Sequence, residues 1–304
     1  MPLDSVSRMF LLSDLMTPMA IRVAATLRLA DGTAPAGVDP DALDRLLRFL
    51  TEIGVFTCDD DGVYALTELG EVLRSDHPSG LRDRLDLDGA VGRAELAFAQ
   101  LLHTVRTGEP GFPAQFGMSF WDDVVGDDTR LTSFNVQMAS DVKAWAPAII
   151  GAYDWGSLGH LVDVGGGDGT LMLELSDAFP SLRGSVFELA PTAATARVDA
   201  IAGTFFDPWP RADAYLLTAI IHDWADEAAR AILRRGAETG RPVFVIEKIG
   251  TDGVTVNPRM DLLLLAHMGG RERSRQELIA LAESAGCTLA AVHEAGAIVI
   301  LELR

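Results

Sequence analysis

The first hundred residues carry apolar side chains at helical spacing, interrupted once by a short hairpin pattern. Residues 40–50 repeat apolar positions every three or four residues, which predicts an amphipathic helix. Residues 55–57 and 63–66 flank an acidic turn and predict two short antiparallel strands, after which Thr67 opens a further helix. This order of helices and a small hairpin predicts a mostly helical, winged-helix-like domain over residues 1–105.

From His160 onward, short apolar runs alternate with helical stretches. The runs predict four strands, at residues 161–164, 185–189, 214–221 and 242–247. Because helical segments separate them, the sheet should be mainly parallel and covered on both faces, as in a Rossmann-like α/β fold. Residues 288–293 and 297–303 should add a C-terminal antiparallel hairpin to the sheet edge. We therefore predict a helical linker with a pocket segment over 106–145 and the α/β domain over 146–304.

Composition and charge narrow the possible functions. The 304 residues carry a formal net charge of −19, spread along the chain. A surface this acidic repels phosphate backbones, so the winged-helix pattern is not expected to bind nucleic acid. No apolar run approaches the roughly 20 residues that span a bilayer, and residues 1–4 lack the basic start of a signal peptide, which predicts a cytoplasmic protein. Cys58 and Cys287 are far apart and indicate neither a disulfide framework nor a metal site.

A glycine-rich loop, Gly165-Gly166-Gly167-Asp168-Gly169-Thr170, follows the first strand of the α/β part and precedes a helix. A glycine turn in this place lets a ligand approach the backbone and the helix N-terminus. A dinucleotide fingerprint needs glycine at the sixth position, where this chain has Thr170. The spacing fits a smaller ligand, such as the methionine end of S-adenosylmethionine, although a purely structural turn is an alternative. Glu188, at the end of the next strand, is placed to accept hydrogen bonds from ribose hydroxyls.

Titratable side chains follow the later strands. His222 and Asp223 come after the strand at 214–221, Glu247 ends the next strand, and Glu272 follows a glycine pair. Ligands in open α/β sheets bind outside the carboxyl ends of the strands. We therefore expect these groups to converge on one crevice, where they could act as acid and base.

Four motifs, in this order, resemble the S-adenosylmethionine-dependent small-molecule O-methyltransferases, a family that includes plant caffeate and flavonoid enzymes and bacterial natural-product enzymes. They are Asp163-Val164-Gly165-Gly166-Gly167-Asp168-Gly169, Gly203-Thr204-Phe205-Phe206, His222-Asp223-Trp224-Ala225-Asp226-Glu227 and Gly269-Gly270-Arg271-Glu272-Arg273-Ser274. The resemblance covers nearly the whole chain. Residues 85–123 resemble bacterial members that tailor aromatic polyketides.

The resemblance implies methyl transfer from S-adenosylmethionine to a hydroxyl of a small, aromatic metabolite, leaving S-adenosylhomocysteine and requiring no metal. It implies that His222, with Asp223 beside it, takes the substrate proton while Glu247 and Glu272 flank the imidazole. Because the N-terminal domain of this family dimerises, we expect a homodimer. The acceptor is not named by any motif, and N- or C-methylation stays open.

The same motifs suggest which residues contact the two ligands. Candidates for the cofactor are Asp163, Gly165, Gly167, Gly169, Glu188, Thr204, Phe205, Thr218, Trp224 and Met138. Candidates for the substrate pocket are Met118, Phe120, Trp121, Met260, Leu264 and Met268.

Proton transfer to His222 faces an energetic gap. A phenol with a pKa of about 10 and an imidazole with a pKa of about 6.5 differ by roughly 5 kcal/mol against complete transfer. A carboxylate against the far ring nitrogen favours the imidazolium and fixes the tautomer. We expect Glu272 in that position, with Glu247 as the second choice.

The chain is shorter than the family pattern in three places. Residues 30–41 lack an additional helix, residues 237–241 form a minimal loop, and the stretch between Leu189 and Gly203 is too short for a full helix, loop and third strand. That last stretch should pack beside the adenine, so cofactor affinity is the property that this shortening affects most directly. Glu188 replaces the more usual aspartate.

Two other functions stay open. Some relatives bind S-adenosylmethionine but catalyse hydroxylation or pericyclic reactions, and the anthracycline-tailoring members lack the histidine. The presence of His222, Glu247 and Glu272 favours methyl transfer. A non-catalytic winged-helix regulator is the second alternative, which the absence of a basic patch in the sequence disfavours.

Overall fold

The computed structural model describes residues 4–32, 36–249 and 257–304. Contacts divide the chain into two compact units, Met1–Arg93 and Ala94–Arg304. The boundaries at 105 and 145 stay predictions. The start expected to lack a signal peptide falls mostly on residues 1–3, and part of the shortened 30–41 stretch falls on residues 33–35; both lie outside the described residues.

The first unit consists of short helices around one hairpin. Asp39 begins the central helix, because its carboxylate accepts the Ala42 N–H at 2.9 Å. Leu50, Val55 and Phe56 are buried between the helix and the hairpin, which confirms both predicted elements. The elements are α1 (Ser5–Leu12), α2 (Met16–Thr26), α3 (Pro40–Glu52), β1 (Phe56–Cys58), β2 (Tyr64–Leu66), α4 (Glu68–Glu71), α5 (Leu81–Leu85) and α6 (Ala90–Ala94).

The N-terminal helices form a longer apolar stretch than we expected from the sequence. By length and composition, the 22 residues Ser5–Thr26 pass as a candidate membrane span, contrary to our expectation. The structure divides this stretch into α1 and α2 at Asp14, whose carboxylate caps α2 by accepting the N–H groups of Met16 and Thr17. Large apolar side chains of α1 and α2 are exposed within this unit, among them Val6, Phe10, Leu12 and Met16.

The second unit is a seven-stranded sheet with helices on both faces. Its helices are α7 (Leu101–Thr107), α8 (Gly111–Phe116), α9 (Phe120–Val125), α10 (Asp128–Ala152), α11 (Thr170–Ala178), α12 (Ala190–Ala193), α13 (Asp226–Glu238), α14 (Pro258–Met268) and α15 (Arg275–Ser284). Its strands are β3 (His160–Val164), β4 (Arg183–Glu188), β5 (Asp199–Ala202), β6 (Ala214–Thr218), β7 (Val243–Lys248), β8 (Leu289–Ala295) and β9 (Ile298–Leu303).

The strand order β5-β4-β3-β6-β7-β9-β8 confirms the predicted fold. The first five strands in that order pair in parallel, and the hairpin of β8 and β9 joins β7 in antiparallel pairing. One apolar core packs on each face of the sheet. The carboxyl ends of β3, β4, β6 and β7 therefore meet at one edge, where the candidate residues lie.

One strand was not predicted, and the predicted end of another is wrong. The stretch after Leu189 does hold a third strand, because a one-turn helix (α12) suffices as its crossover before β5. The strand that begins at Ala214 ends at Thr218, since Ala219 has a left-handed φ of 54° and Ile221–Asp223 form a 3₁₀ turn. The loop between α13 and β7 is short, as expected.

A buried histidine lies among aromatic side chains at the end of α14. His267 is 3% exposed, with the Phe98 ring edge-on at 5.8 Å and the Phe120 ring stacked at 6.3 Å. Its Nε2 has no hydrogen-bond partner among the described residues. Burial lowers the pKa of His267 to about 4, so the ring is neutral at neutral pH.

This burial makes the folded protein sensitive to acid. In the unfolded chain His267 has its ordinary pKa of about 6.5 and takes up a proton that the folded protein rejects down to about pH 4. Stability is therefore lost as the pH falls from about 6.5 toward 4, by about 2 kcal/mol at pH 5. We expect His267→Phe to lose less unfolding free energy than wild type between pH 7.5 and 5, measured by urea denaturation. The exposed His103→Phe should behave as wild type, and equal pH dependence in all three proteins would contradict the expectation.

Candidate functional site at the carboxyl edge of the sheet

The glycine loop joins β3 to α11 and has left-handed backbone at three of its positions. Gly165, Gly167 and Gly169 have φ values of 81°, 58° and 86°. A Cβ on Gly165 would lie 2.7 Å from the Phe205 ring, whereas a Cβ on Gly167 would meet no described atom within 4 Å. Packing explains the glycine at 165, and the open space at Gly167 is available to a ligand.

Acidic and polar side chains lie beneath and beside this loop. Asp163 is 1% exposed, and its Oδ1 has no partner in the part of the chain that the structure describes. Burial, with the neighbouring charge of Glu188, raises the pKa of Asp163 to about 7. Thr218 Oγ1, at the end of β6, is likewise buried without a partner among the described residues. Such atoms can be satisfied by a polar ligand.

The shortened crossover is tied directly to the glycine loop. Arg197 Nε lies 3.0 Å from Asp168 Oδ2, and its Nη2 donates to Thr170 Oγ1 at 2.6 Å. A Cβ on Gly169 would lie 2.5 Å from Val198 Cγ2, so the two segments are in close contact. These contacts hold the loop on the side where a longer helix was expected.

The other predicted cofactor residues are distributed around this edge. Trp224 is half-buried, with the Phe205 ring at 5.9 Å and its own Nε1 lacking a partner within the described chain. Thr204 is exposed, and Asp207 accepts hydrogen bonds from both its N–H and its hydroxyl. Met138 is half-buried on α10.

His222 lies in the 3₁₀ turn after β6 and is held by two carboxylates. Its Nδ1 is 2.8 Å from Glu247 Oε2, and its Nε2 is 3.3 Å from Asp223 Oδ1. Glu247 Oε1 also accepts the N–H groups of Ile221 at 2.9 Å and His222 at 3.3 Å. One buried carboxylate, at the end of the neighbouring strand β7, thus fixes both the imidazole and the turn that carries it.

The electrostatics favour a charged imidazole. Burial alone lowers the pKa of His222, but the carboxylates of Glu247 and Asp223 outweigh it and raise the pKa well above the ordinary value. Burial raises the pKa of Asp223 and of Glu272, and the positive charge of His222 opposes both shifts.

Our expected order of the two glutamates is wrong. Glu247 occupies the position against Nδ1, because it ends the strand adjacent to β6 and reaches beneath the turn. Glu272 follows α14, and its N–H is bonded to Asp261 Oδ1. It lines a small cleft beside His222, formed by His222, Glu247, Lys248, Arg271, Glu272, Arg273 and Leu278.

Sequence reasoning missed the segment that holds the other side of the turn. The Arg271 N–H donates to the His222 carbonyl at 2.7 Å, and a Cβ on Gly270 would lie only 2.4 Å from that carbonyl oxygen. Arg273 is 4% exposed and donates to carbonyl groups of the same turn. Neither periodicity nor charge distinguishes a buried arginine from a surface arginine. The double glycine is the one local signal that could have suggested a close backbone approach here.

The substrate candidates divide into buried and exposed residues. Phe120 and Leu264 are buried, Trp121 and Met268 are half-buried, and Met118 and Met260 are 44% and 38% exposed. Trp121 contacts the Phe120 ring at 5.0 Å and lies nearly parallel to Trp224 at 6.5 Å. An aromatic wall thus extends from α9 to the residue two positions after His222.

Comparison with known proteins identifies the family and several relatives of this chain. The model of the O-methyltransferase domain matches residues 98–288, and that of the O-methyltransferase dimerisation domain matches residues 9–76. The chain is 44% identical to the 2,7-dihydroxy-5-methyl-1-naphthoate 7-O-methyltransferase of Streptomyces carzinostaticus, over 96% of each protein. It is 39% identical to the aclacinomycin 10-hydroxylase RdmB of Streptomyces purpurascens, over 94% of this chain and 85% of that protein.

A solved structure has the same fold. The O-methyltransferase NcsB1 from neocarzinostatin biosynthesis, in complex with S-adenosylmethionine and 2-hydroxy-5-methyl naphthoic acid, superposes with a TM-score of 0.90 at 44% identity, over 96% of this chain and 97% of that one. The matched domain models, the extent of the identity and the glycine loop beside the His222 pair lead to one conclusion. This chain belongs to the S-adenosylmethionine-dependent O-methyltransferase family of natural-product biosynthesis.

Proposed function

We propose that this enzyme methylates a phenolic hydroxyl of a small, fused-ring aromatic acid, with His222 as the general base. The observation that carries the proposal is the imidazole held by Glu247 and Asp223 at the sheet edge that also bears the glycine loop. The naphthoate substrate in the name of the Streptomyces carzinostaticus relative supports an aromatic acid of similar size. The aromatic wall of Phe120, Trp121 and Trp224 is suited to a flat ring system.

The residues at the glycine loop fit S-adenosylmethionine. Asp163 Oδ1 and Thr218 Oγ1 are buried acceptors without partners in the described chain, and Gly167 leaves open space above the loop. Glu188, whose pKa burial raises, lies at the end of β4 beside them and would take the ribose hydroxyls. When bound, the cofactor supplies a methyl carbon activated by a positively charged sulfur.

The enzyme itself must orient the acceptor oxygen and remove its proton. In its neutral form, with the proton on Nδ1 facing Glu247, His222 takes the substrate proton at Nε2 once the substrate hydroxyl replaces the long, 3.3 Å contact with Asp223. Glu247, at 2.8 Å from Nδ1, stabilises the resulting imidazolium and so narrows the gap of roughly 5 kcal/mol between imidazole and phenol. Glu272, which lines the same cleft as His222 and Glu247, adds a further carboxylate near the imidazole.

A non-methylating reaction is the second candidate. The 39% identity to a hydroxylase supports it, because that relative also matches nearly the whole chain. The His222–Glu247 pair favours methyl transfer, since a base with a raised pKa serves a phenolic proton. Radiolabelled methyl transfer to hydroxynaphthoic acids, with the methylated atom assigned by NMR, separates the two reactions and also separates O- from N- or C-methylation.

We further propose a cytoplasmic homodimer. The match of the dimerisation domain to residues 9–76 supports it, as do the exposed apolar side chains of α1 and α2, which a partner subunit would cover. Two relatives are named as small-molecule methyltransferases, the naphthoate enzyme and the mitomycin biosynthesis 6-O-methyltransferase of Streptomyces lavendulae, and they support the cytoplasmic location.

Titration with S-adenosylhomocysteine by calorimetry tests the cofactor site. We expect saturable binding by the wild type, no detectable binding by Gly167→Arg, because the side chain would fill the open space above the loop, and binding within about 3-fold of wild type by His222→Ala. Binding retained in Gly167→Arg would place the cofactor elsewhere. No binding by the wild type would show that the short crossover has disabled the site.

Glu247→Gln tests the electrostatic role of the carboxylate. Without its charge the pKa of His222 falls, so the acidic limb of the profile of kcat/KM against pH should move to lower pH. The plateau should also fall, by about 10- to 100-fold, because the base is weaker. Glu302→Gln, which removes the carboxylate 3.4 Å from His293 on the remote hairpin, is the matched control. A limb that stays in place in Glu247→Gln would contradict the role.

Gly270→Ala tests the contact on the other side of the turn. The added methyl group would lie 2.4 Å from the His222 carbonyl oxygen, so the turn must move. We expect kcat to fall about 100-fold with binding of S-adenosylhomocysteine retained. Gly151→Ala on α10, whose Cβ meets no described atom within 4 Å, should keep wild-type activity. Wild-type kcat in Gly270→Ala would show that the position of this turn does not limit catalysis.

A further inference from the structure

Arg273 is a buried arginine with an unusual set of hydrogen-bond partners. Its side chain is 2% exposed. Nη1 donates to the carbonyl oxygens of Ile221 at 2.9 Å and Arg271 at 3.3 Å, and Nη2 donates to that of Trp224 at 2.8 Å. Nε and Nη2 both donate to Asp226 Oδ1, at 3.0 and 2.7 Å. The guanidinium therefore brackets the segment that contains His222.

From these contacts we infer that Arg273, paired with Asp226, is a positioning residue that sets the orientation of His222 for proton transfer. The inference rests on the proposed role of His222 as the base. Among the described residues, the hydrogen bonds of Arg273 go to backbone carbonyl groups and to Asp226, and none goes to the imidazole. Arg273 acts on the backbone of the catalytic turn.

The two sides of the turn are held by opposite charges. Glu247 accepts from the N–H groups of Ile221 and His222, while Arg273 donates to the carbonyl groups of Ile221 and Trp224. The carboxylate thus faces N–H donors and the guanidinium faces carbonyl acceptors. The segment cannot rotate without breaking hydrogen bonds on both sides. The left-handed φ of 54° at Ala219, directly before this segment, costs energy in an alanine and needs such support.

An arginine is required at this position for geometric reasons. The planar guanidinium directs several N–H groups at fixed angles, and here it serves two carbonyl groups of the turn and one carboxylate together. A lysine ammonium has a single centre and cannot reach all three acceptors. Asp226, whose pKa the hydrogen bond from Arg273 lowers, neutralises the buried charge and begins helix α13.

The pH dependence reports on this arrangement through His222. Asp223 from the turn and Glu247 from β7 contact the two ring nitrogens. Lys248 from β7, and Arg271, Glu272 and Arg273 from the segment before α15, line the same cleft as His222. If the turn loosens, the contact of Nδ1 with Glu247 lengthens first. The favourable charge interaction weakens, and the acidic limb of kcat/KM moves to lower pH.

Arg273→Lys is the decisive variant, with Arg275→Lys as its matched control. Arg275 lies two residues further on and pairs with the exposed Glu294. For Arg273→Lys we expect kcat to fall about 100-fold, KM and the Kd of S-adenosylhomocysteine to stay within about 3-fold, and the acidic limb to move to lower pH. Arg275→Lys should match the wild type. Wild-type kcat and an unmoved limb in Arg273→Lys, or loss of cofactor binding in parallel with activity, would overturn the inference.

Asp226→Asn keeps the inference testable if the arginine variants fold poorly. It leaves the carbonyl acceptors in place but removes the carboxylate that orients Arg273. We expect an intermediate fall in kcat, a limb shift in the same direction, and a double variant with Arg273→Lys no worse than Arg273→Lys alone. Independent, additive effects or an unmoved limb in Asp226→Asn would overturn it. His222→Ala, measured alongside, distinguishes failure of the positioning role from failure of the proposed base. Full activity in His222→Ala would refute His222 as the base and, with it, the positioning role of Arg273.

Discussion

Glu247 places one carboxylate oxygen on the His222 imidazole and the other on the amide groups of the turn that carries it. Because Glu247 is buried at the end of β7, water has little access to its carboxylate, and these hydrogen bonds satisfy its charge. The strand next to it, β6, delivers the turn, and the segment before α15 closes it from the carbonyl side. The position of His222 therefore depends on three elements that are far apart in the sequence.

The cofactor side of the edge is simpler and is built largely from local contacts. The glycine loop takes its left-handed conformations at Gly165, Gly167 and Gly169, and the short crossover that follows β4 is tied to it through Arg197 and Asp168. A single helical turn is enough to connect β4 to β5 in parallel pairing. The loss of a longer helix thus leaves the sheet intact and brings a different side chain, that of Arg197, next to the loop.

Much of the fold could be predicted because its signals are local. The apolar runs of β3, β4 and β7, the hairpin of β8 and β9, and the glycine loop after β3 are each legible in a window of a few residues. The predicted end of β6 was wrong, because Ala219 has a left-handed backbone conformation, which the residue type alanine does not indicate. The strand β5 was missed, because the stretch between Leu189 and Gly203 is short for a helix, a loop and a strand, and the four residues of β5, Asp199–Ala202, are exposed in the second unit.

Motifs and periodicity were sufficient to identify the family, most of the elements and the titratable groups at the sheet edge, since they are properties of neighbouring residues. The tertiary structure alone decided which carboxylate faces His222, because Glu247 and Glu272 are equivalent as sequence letters and differ in the strand or loop that carries them. It also decided that Arg273 is buried against the turn that carries His222 and is not solvated. Pairings of this kind depend on distances across the fold, and the spacing of residues along a chain does not contain those distances.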